Sequence, residues 1–249
     1  MKQNYYGRLC TEMYELLHEK APVDELNFYL SYADKDMKIL EALCGSGRFF
    51  VPFYERGYDI HGIDLSGEML TKLKEKIPDA KVIQGDILAF SSEEKFDYIF
   101  ITSGSVSLFT DLTLCKEILK KLKDLLKDNG KFVFAVDTIA NKCENDEDYE
   151  LAATVKTREG YDLILKYKNY FDEVTQTQFS PSIYELIQDS KVLETEEMDF
   201  QTHLYRFNEM EKILKEIGFT KVVTYSSFSK EIADSDDCEM FLFEYSVGK

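Results

Sequence analysis

The chain has 249 residues, 44% of them hydrophobic and 31% charged, which is enough apolar material for one large domain or for a domain carrying an insertion. Forty-seven acidic residues against thirty basic ones give a formal net charge of -17, which argues against a nucleic-acid partner because the nucleic-acid backbone is itself negatively charged. No stretch reaches the roughly 18 consecutive apolar residues of a membrane span, and the N-terminus lacks the apolar core of a secretion signal, so we expect a cytoplasmic protein with no membrane partner.

The five cysteines are scattered, odd in number and without the paired spacing of a zinc site or a disulfide-rich protein. We therefore expect reduced thiols and no metal site. The cysteines are Cys10, Cys44, Cys115, Cys143 and Cys238.

The predicted elements begin with two helices, because apolar residues recur at helical spacing in NYYGRLCTEMYELLHEK and again in DELNFYLSYA. Short apolar strands then alternate with helices. The strands are KILEAL, DIHGID, AKVIQGD, FDYIFI and KFVFAVD, and the helices include one over residues 67–76 and one over residues 112–127 that a DNG stop should end. This alternation predicts a mostly parallel sheet with helices on both faces and ligands at the carboxyl ends of the strands.

After Asp137 the helical periodicity stops, and about sixty residues rich in Tyr, Thr, Val, Ile and Phe follow, punctuated by REG and SPS. This pattern predicts an inserted antiparallel β meander. A helix in NEMEKILKEIGF and strands in KVVTYSS and EMFLFEYSV then complete a seven-stranded sheet. We therefore divide the chain into a core with an N-terminal helical cap (residues 1–137), an antiparallel β lid (138–206) and the rest of the core (207–249).

The stretch LEALCGSGRF, residues 40–49, places a glycine turn between the first strand and a helix. Such a turn occurs in dinucleotide sites, whose pattern G-x-G-x-x-G requires a third glycine. Here Gly45 and Gly47 supply two glycines and Phe50 takes the third place. Glu41, just before the turn, would repel a pyrophosphate but suits a ligand that carries positive charge.

A second carboxylate, Asp64, ends the strand DIHGID. At that position it can accept hydrogen bonds from ribose hydroxyl groups, or it can cap the helix that starts at DLSGE.

Several motifs together resemble those of the class I S-adenosylmethionine-dependent methyltransferases. They are, in the family's order and at its usual spacings, EALCGSGR, GIDLSGEML, IQGDILAF, FDYIFITSGSVSLF and LKDNGKFVFAVDT, and the likeness covers roughly residues 26–138 and 208 to the C-terminus. Cys44 departs from the family's common first glycine. The resemblance implies a Rossmann-like, doubly wound α/β fold and S-adenosylmethionine as the cofactor.

The resemblance also implies which residues hold the cofactor. Asp64 would bind the ribose, Asp86 and Ile87 would border the adenine, and Glu41 would act on the amino acid end. The full predicted set is Tyr14, Glu41, Cys44, Gly45, Ser46, Gly47, Asp64, Leu65, Met69, Asp86, Ile87 and Ser103.

Methyl transfer is an in-line displacement, so the enzyme mainly positions the reactants and needs a base only when the acceptor must lose a proton. We expect a small-molecule acceptor with an amine or a hydroxyl group. The predicted catalytic residues are Ser107 in the loop after FDYIFI, and His203 and Tyr205 on one face of the strand QTHLYRF, with His203 as the favoured general base.

The predicted lid also resembles that of small-molecule methyltransferases, including amino-sugar enzymes. Those sugar enzymes have a histidine in the loop after the fourth strand, where this chain has Ser107.

Three alternatives stay open at this point. They are an NAD-dependent oxidoreductase, a non-catalytic cofactor-binding protein, and a methyltransferase that acts on RNA or protein. The sequence does not indicate the acceptor or the oligomeric state.

Overall fold

The computed structural model describes residues 3–246, which form a central sheet, flanking helices and a separate β insertion. Its strands are β1 (Lys38–Ala42), β2 (Asp59–Asp64), β3 (Val82–Gln84), β4 (Phe96–Ile101), β5 (Leu126–Asp137), β6 (Glu150–Lys156), β7 (Asp162–Tyr167), β8 (Tyr170–Asp172), β9 (Thr177–Phe179), β10 (Ser182–Gln188), β11 (Lys191–Met198), β12 (Gln201–His203), β13 (Val222–Tyr225) and β14 (Met240–Ser246). The helices are α1 (Arg8–Leu17), α2 (Val23–Leu30), α3 (Phe50–Glu55), α4 (Gly67–Lys76), α5 (Leu112–Asp124) and α6 (Glu209–Glu216).

The central sheet has seven strands in the order β13-β14-β5-β4-β1-β2-β3. Only β14 runs against its neighbours, pairing antiparallel with β13 and β5, while the other pairs are parallel. The predicted seven-stranded, mostly parallel fold is therefore confirmed. Its consequence is that β5, β4, β1 and β2 end side by side at one edge of the sheet, where the loops that follow them can share one site.

Both faces of this sheet are buried, because successive strand residues point to opposite sides. On one side Ile39 packs in a cluster with residues of α2, α3 and α4, including Phe28, Phe53 and Leu73. On the other side Leu40 belongs to a cluster that includes residues of α5 and α6. The edge at which β5, β4, β1 and β2 end is therefore held between two apolar layers.

The connection from α5 to β5 differs from the prediction. The helix ends at Asp124 instead of residue 127, and Asp128, Asn129 and Gly130 lie inside β5. Phe96 of β4 pairs with Leu126 and Tyr98 pairs with Lys131, so the extra residues form a bulge in the strand. The DNG stretch was expected to stop a helix, but it lies in a bulge of β5 between residues that pair with β4, and periodicity alone does not reveal this pairing.

The insertion forms two antiparallel sheets instead of one simple meander. One has the order β11-β10-β7-β6, and the other has the order β12-β9-β8. Helix α1 packs on the larger sheet, where Leu9 and Met13 join Leu163, Tyr184 and Met198 in a buried cluster. The N-terminal helix and the insertion are therefore packed together as one cover beside the core. No helix within residues 3–246 has the length and apolar character needed to cross a membrane.

Candidate functional site

The turn between β1 and α3 has a backbone that only small residues accommodate easily. Gly45 and Gly47 have φ of 52° and 87°, in the left-handed region that glycine enters at little cost. A Cβ atom on Gly47 would lie 2.8 Å from Cγ of Leu73, so this glycine also lets the turn approach α4. The Gly45 N–H points outward from the turn and donates to the Asp64 carboxylate at 2.8 Å.

Asp64 fixes the geometry of two neighbouring segments. Its Oδ2 accepts from Gly45, and its Oδ1 accepts from the Ser66 N–H at 2.9 Å. Ser66 in turn caps α4, since its Oγ accepts the Met69 N–H at 3.1 Å. Burial raises the pKa of Asp64 above its ordinary value, although these N–H donors oppose the rise. Asp64 therefore connects the glycine turn to the start of α4 by hydrogen bonds, and it also lines a cavity at the carboxyl edge of the sheet.

Glu41 is a buried carboxylate with an unused acceptor. It is 1% exposed, and its Oε2 has no hydrogen-bond partner among residues 3–246. Burial raises its pKa well above the usual range, and the nearby Asp64 and Glu25 carboxylates add to the effect. The buried Oγ of Ser46 also lacks a partner among these residues. Buried polar atoms are normally paired, so these two are candidates for contacts with a ligand.

These groups line a cavity of about 360 Å³ at the carboxyl edge of the sheet, within the usual size range of small-molecule sites. Nine of the twelve predicted cofactor-binding residues line it: Tyr14, Glu41, Cys44, Gly45, Ser46, Asp64, Leu65, Met69 and Ser103. The structure therefore brings most of the predicted set together.

The other three predicted cofactor residues, Gly47, Asp86 and Ile87, are not among the residues that line the cavity. Gly47 is turned against Leu73 of α4, where it serves packing. Asp86 is exposed and its Oδ1 accepts the Leu88 N–H at 2.8 Å, as in a simple turn. Ile87 is buried in the apolar cluster on the α5 side of the sheet.

The predicted catalytic residues also lie elsewhere. His203 is buried, its Nδ1 is 3.0 Å from the Thr175 carbonyl and its Nε2 is 2.9 Å from the Glu209 carboxylate, so both nitrogens are engaged away from the cavity. Tyr205 is fully buried with its hydroxyl 3.7 Å from the Cys115 sulfur, and burial raises its pKa well above the usual range. The assignment of His203 and Tyr205 rested on their place along a strand, and the fold turns that strand inward.

The third predicted catalytic residue, Ser107, lies in the loop after β4. It is buried, and its Oγ accepts the Asp137 N–H at 2.8 Å, which joins the loop after β4 to the end of β5. This hydroxyl positions the loop and does not line the cavity.

The roof of the cavity includes residues outside the predicted cofactor-binding set. The segment of residues 3–6 crosses it, held by Asn4, whose amide donates to the carbonyls of Leu108 and Gln201 and accepts from the Gln201 N–H. The Ser66 hydroxyl also donates to the Tyr6 carbonyl at 2.7 Å. Asn4 has φ of 49°, but its partners lie far away in the chain, so no local signal could have revealed them.

Arg48, directly after the glycine turn, is a further lining residue without an assigned role from sequence. Burial raises the pKa of the Tyr14 hydroxyl, and a hydrogen bond from Arg48 opposes the rise. The pair places a guanidinium group on the same wall as Ser46, where it suits a carboxylate. The position of Arg48 directly after the glycine turn is the sequence feature that could have indicated its place in the cavity.

The chain matches known proteins in this part of the molecule. Residues 39–130 match the family model of a methyltransferase domain. Malonyl-(acyl-carrier protein) O-methyltransferase 1 of Ilyobacter polytropus is 30% identical over 166 residues, which are 64% of this chain and 57% of that protein. The chain spans about half the length of the curated relatives that it matches.

Two solved structures are similar over almost the whole chain. An S-adenosylmethionine-dependent methyltransferase of Clostridium acetobutylicum has a TM-score of 0.76 and 16% identity, covering 95% of this chain and 97% of that one. A sugar N-methyltransferase of Streptoalloteichus has a TM-score of 0.72 and 15% identity, covering 98% and 96%.

The domain match and the fold agree: residues 39–130 match the model of a methyltransferase domain, and the chain has the fold of the S-adenosylmethionine-dependent methyltransferases. The resemblance read from the motifs is thereby confirmed. The cofactor of this class fits the groups present. The unpartnered Glu41 and Ser46 oxygens, the Arg48 guanidinium and the Asp64 carboxylate match its ammonium, carboxylate and ribose groups.

Proposed function

We propose that the chain is a methyltransferase that binds S-adenosylmethionine in the cavity beside Gly45 and transfers its methyl group to an amine or a hydroxyl of a small molecule. One observation carries the proposal. The Asp64 carboxylate and the unpartnered Glu41 oxygen, from neighbouring parallel strands, line one cavity together with the glycine turn. An acid at the end of each strand suits a nucleoside that carries positive charge and no phosphate.

The residues of the chain would divide the binding as follows. Glu41 would accept hydrogen bonds from the ammonium group, Arg48 would hold the carboxylate, and Asp64 would accept from the ribose hydroxyls. When bound, S-adenosylmethionine supplies a methyl group on a positively charged sulfur. The roof of residues 3–6 would keep water from that group, so most of the catalysis would come from positioning and solvent exclusion.

A small acceptor is supported by the shape of the cover. Helix α1, which packs on the larger inserted sheet, contributes Tyr14 to the lining of a cavity of about 360 Å³, a volume in the range of small-molecule sites. The solved sugar N-methyltransferase has a similar fold, and the curated relative named above is an O-methyltransferase. The two likenesses differ in the acceptor atom, so both an amine and a hydroxyl belong to the proposal.

Calorimetric titration with S-adenosylhomocysteine, with NADH as the control ligand, tests the cofactor assignment. We expect micromolar binding of the first and none of the second, since no third glycine opens the turn for a pyrophosphate. Binding of NADH alone would favour the oxidoreductase alternative, and binding of neither would remove the proposal.

A further inference from the structure

Asp137 ends β5 at the same edge of the sheet as the proposed cofactor site, and no role has yet been assigned to its carboxylate. In the sheet order β5-β4-β1-β2, it stands two strands from Glu41, a lateral separation of roughly 10 Å. The charges of Asp64 and Asp137 both contribute, after burial, to raising the pKa of the Tyr6 hydroxyl. Ser103 and Ser105 line the cofactor cavity, and a Cβ atom on Gly104 between them would lie 2.5 Å from Oδ1 of Asp137, so Asp137 lies next to the loop that forms this wall of the cavity.

The Asp137 carboxylate is held without a hydrogen-bond donor. Its main-chain N–H and carbonyl are bonded to Ser107 and Tyr205, but no residue within 3–246 donates to its side chain. A Cβ atom on Gly104 would lie 2.5 Å from Oδ1, so the loop after β4 can pass this carboxylate only because residue 104 is glycine. A largely buried carboxylate without donors is costly unless a ligand supplies one.

This carboxylate lines a crevice of about 370 Å³ between the core and the sheet of β8, β9 and β12. Thr202 and Phe200 border it from the insertion, and Glu239 borders it from the segment before β14. Among the described residues that line it there are two carboxylates and no Lys or Arg. Such a crevice attracts an amine and disfavours a phosphate or a carboxylate.

We infer that Asp137 binds the amino group of the methyl acceptor in this crevice, which makes the substrate an aliphatic amine; the inference rests on the proposed methyl transfer. The acceptor binds as an ammonium ion and passes one proton to the Asp137 carboxylate, and the amine so formed directs its lone pair toward the cofactor cavity. The new C–N bond forms as the S–C bond breaks, and the electron pair of that bond stays on sulfur. The methylated nitrogen carries the positive charge and leaves as an ammonium ion, and Asp137 releases the proton that it accepted to solvent.

The surroundings of Asp137 suit this exchange. Burial raises its pKa to about 7, and the Glu25 carboxylate of α2 adds to the rise. The other titratable groups near it are Tyr6 from the roof and Glu239 across the crevice. A carboxylate with a pKa near neutrality can both hold and release a proton under working conditions.

The test compares cyclohexylamine with cyclohexanol, which differ only in the amino group, as probes of the full chain saturated with S-adenosylhomocysteine at pH 8. Binding is measured by NMR titration for the wild type, for Asp137→Asn and for Asp128→Asn. Asp128 is the matched control, because it is an exposed aspartate near the other end of the same strand. Methyl transfer to both probes is measured in parallel.

We expect the wild type to bind the amine about tenfold more tightly than the alcohol, as a charge-assisted hydrogen bond allows. Asp137→Asn should lose this preference and Asp128→Asn should keep it, while all three bind S-adenosylhomocysteine equally. An equal affinity for both probes in the wild type, or an amine preference that survives in Asp137→Asn, would overturn the inference. Loss of S-adenosylhomocysteine binding in the wild type would instead remove the proposed function.

Discussion

Glu41 illustrates how a single buried residue can be suited to a ligand while it lowers the stability of the ligand-free protein. Its Oε2 is buried without a partner among residues 3–246, so the carboxyl group lacks the hydrogen bonds it has in water. We predict that Glu41→Gln weakens S-adenosylhomocysteine binding by about tenfold or more, because the charge-assisted contact to the ammonium group is lost. The variant should be at least as stable as the wild type at pH 8, because no buried carboxyl has to stay protonated there.

Calorimetry measures the affinity and urea denaturation measures the free energy of unfolding. Glu117→Gln is the control, since Glu117 is exposed on α5 and does not line the cavity. An unchanged affinity in Glu41→Gln would show that this carboxylate does not contact the cofactor.

Asp137 predicts a dependence of stability on pH. Its pKa is about 7 in the folded chain and about 3.9 in an unfolded one. Between these values the folded state keeps a proton that the unfolded state has released, so this group's contribution to stability is full below about pH 4 and is lost as the pH rises to 7. Asp137→Asn has no carboxyl group to deprotonate here, so its stability does not fall in this way as the pH rises. We predict that it is more stable than the wild type at pH 8 by about 1 to 3 kcal/mol, with little difference at pH 4.

Urea denaturation of both proteins across this pH range measures the difference. Asp128→Asn should follow the wild type throughout. A constant difference at all pH values would mean that the Asp137 carboxyl titrates normally.

Among the elements, α1 depends on a residue from the insertion. The Glu196 carboxylate accepts the N–H groups of Leu9 and Cys10, each at 3.0 Å, and thereby supplies the N-terminal cap that α1 lacks locally. A Cβ atom on Gly7 would lie 2.6 Å from this carboxylate. The cap therefore joins the roof of the cavity to the insertion.

We predict that Glu196→Ala lowers the free energy of unfolding by about 1 to 2 kcal/mol, as loss of a cap usually does. It should also weaken S-adenosylhomocysteine binding severalfold, because Tyr14 lies on α1 and the roof segment of residues 3–6 leads into this helix. Glu197→Ala is the control, since its exposed side chain points to the other face of β11. Equal affinities of the two variants for S-adenosylhomocysteine would show that the cap of α1 does not affect cofactor binding.

The sequence predicted those elements that local interactions determine. Helix α4 was predicted at its observed bounds, because Ser66 caps it and apolar residues repeat at helical spacing. The same holds for β2 and β4. The end of α5 and the two sheets of the insertion depend on pairing between distant segments, which periodicity does not encode.

The candidate site divides in the same way. Its floor, with Glu41, Gly45 and Asp64, comes from motifs on two neighbouring strands and on the turn after the first of them, and these residues belong to the predicted set. The roof at Asn4 and the crevice at Asp137 arise only when distant segments meet. His203 was chosen for its place on a strand, and its contact with the Glu209 carboxylate is a tertiary one that the strand pattern does not reveal.

At the scale of the whole molecule, charge bears on the alternative that the acceptor is RNA. The net charge is -17, and the lining of the cavity has one cationic side chain, Arg48, among the residues that the structure describes. RNA binding needs Lys and Arg side chains that release counterions from the phosphate backbone. We predict that a labelled structured RNA binds more weakly than about 100 µM at about 0.15 M salt, as measured by fluorescence anisotropy.

The salt dependence makes this prediction decisive. A protein that neutralises phosphates binds RNA much more tightly as salt is lowered, because more is gained from counterion release. Here the long-range field is repulsive, and lower salt extends its range. Binding should therefore stay absent at about 0.02 M salt, and S-adenosylhomocysteine titrated under the same conditions controls for folded protein. RNA affinity that rises steeply as salt falls would reveal a basic surface outside the cavity and would favour RNA over a small amine as the acceptor.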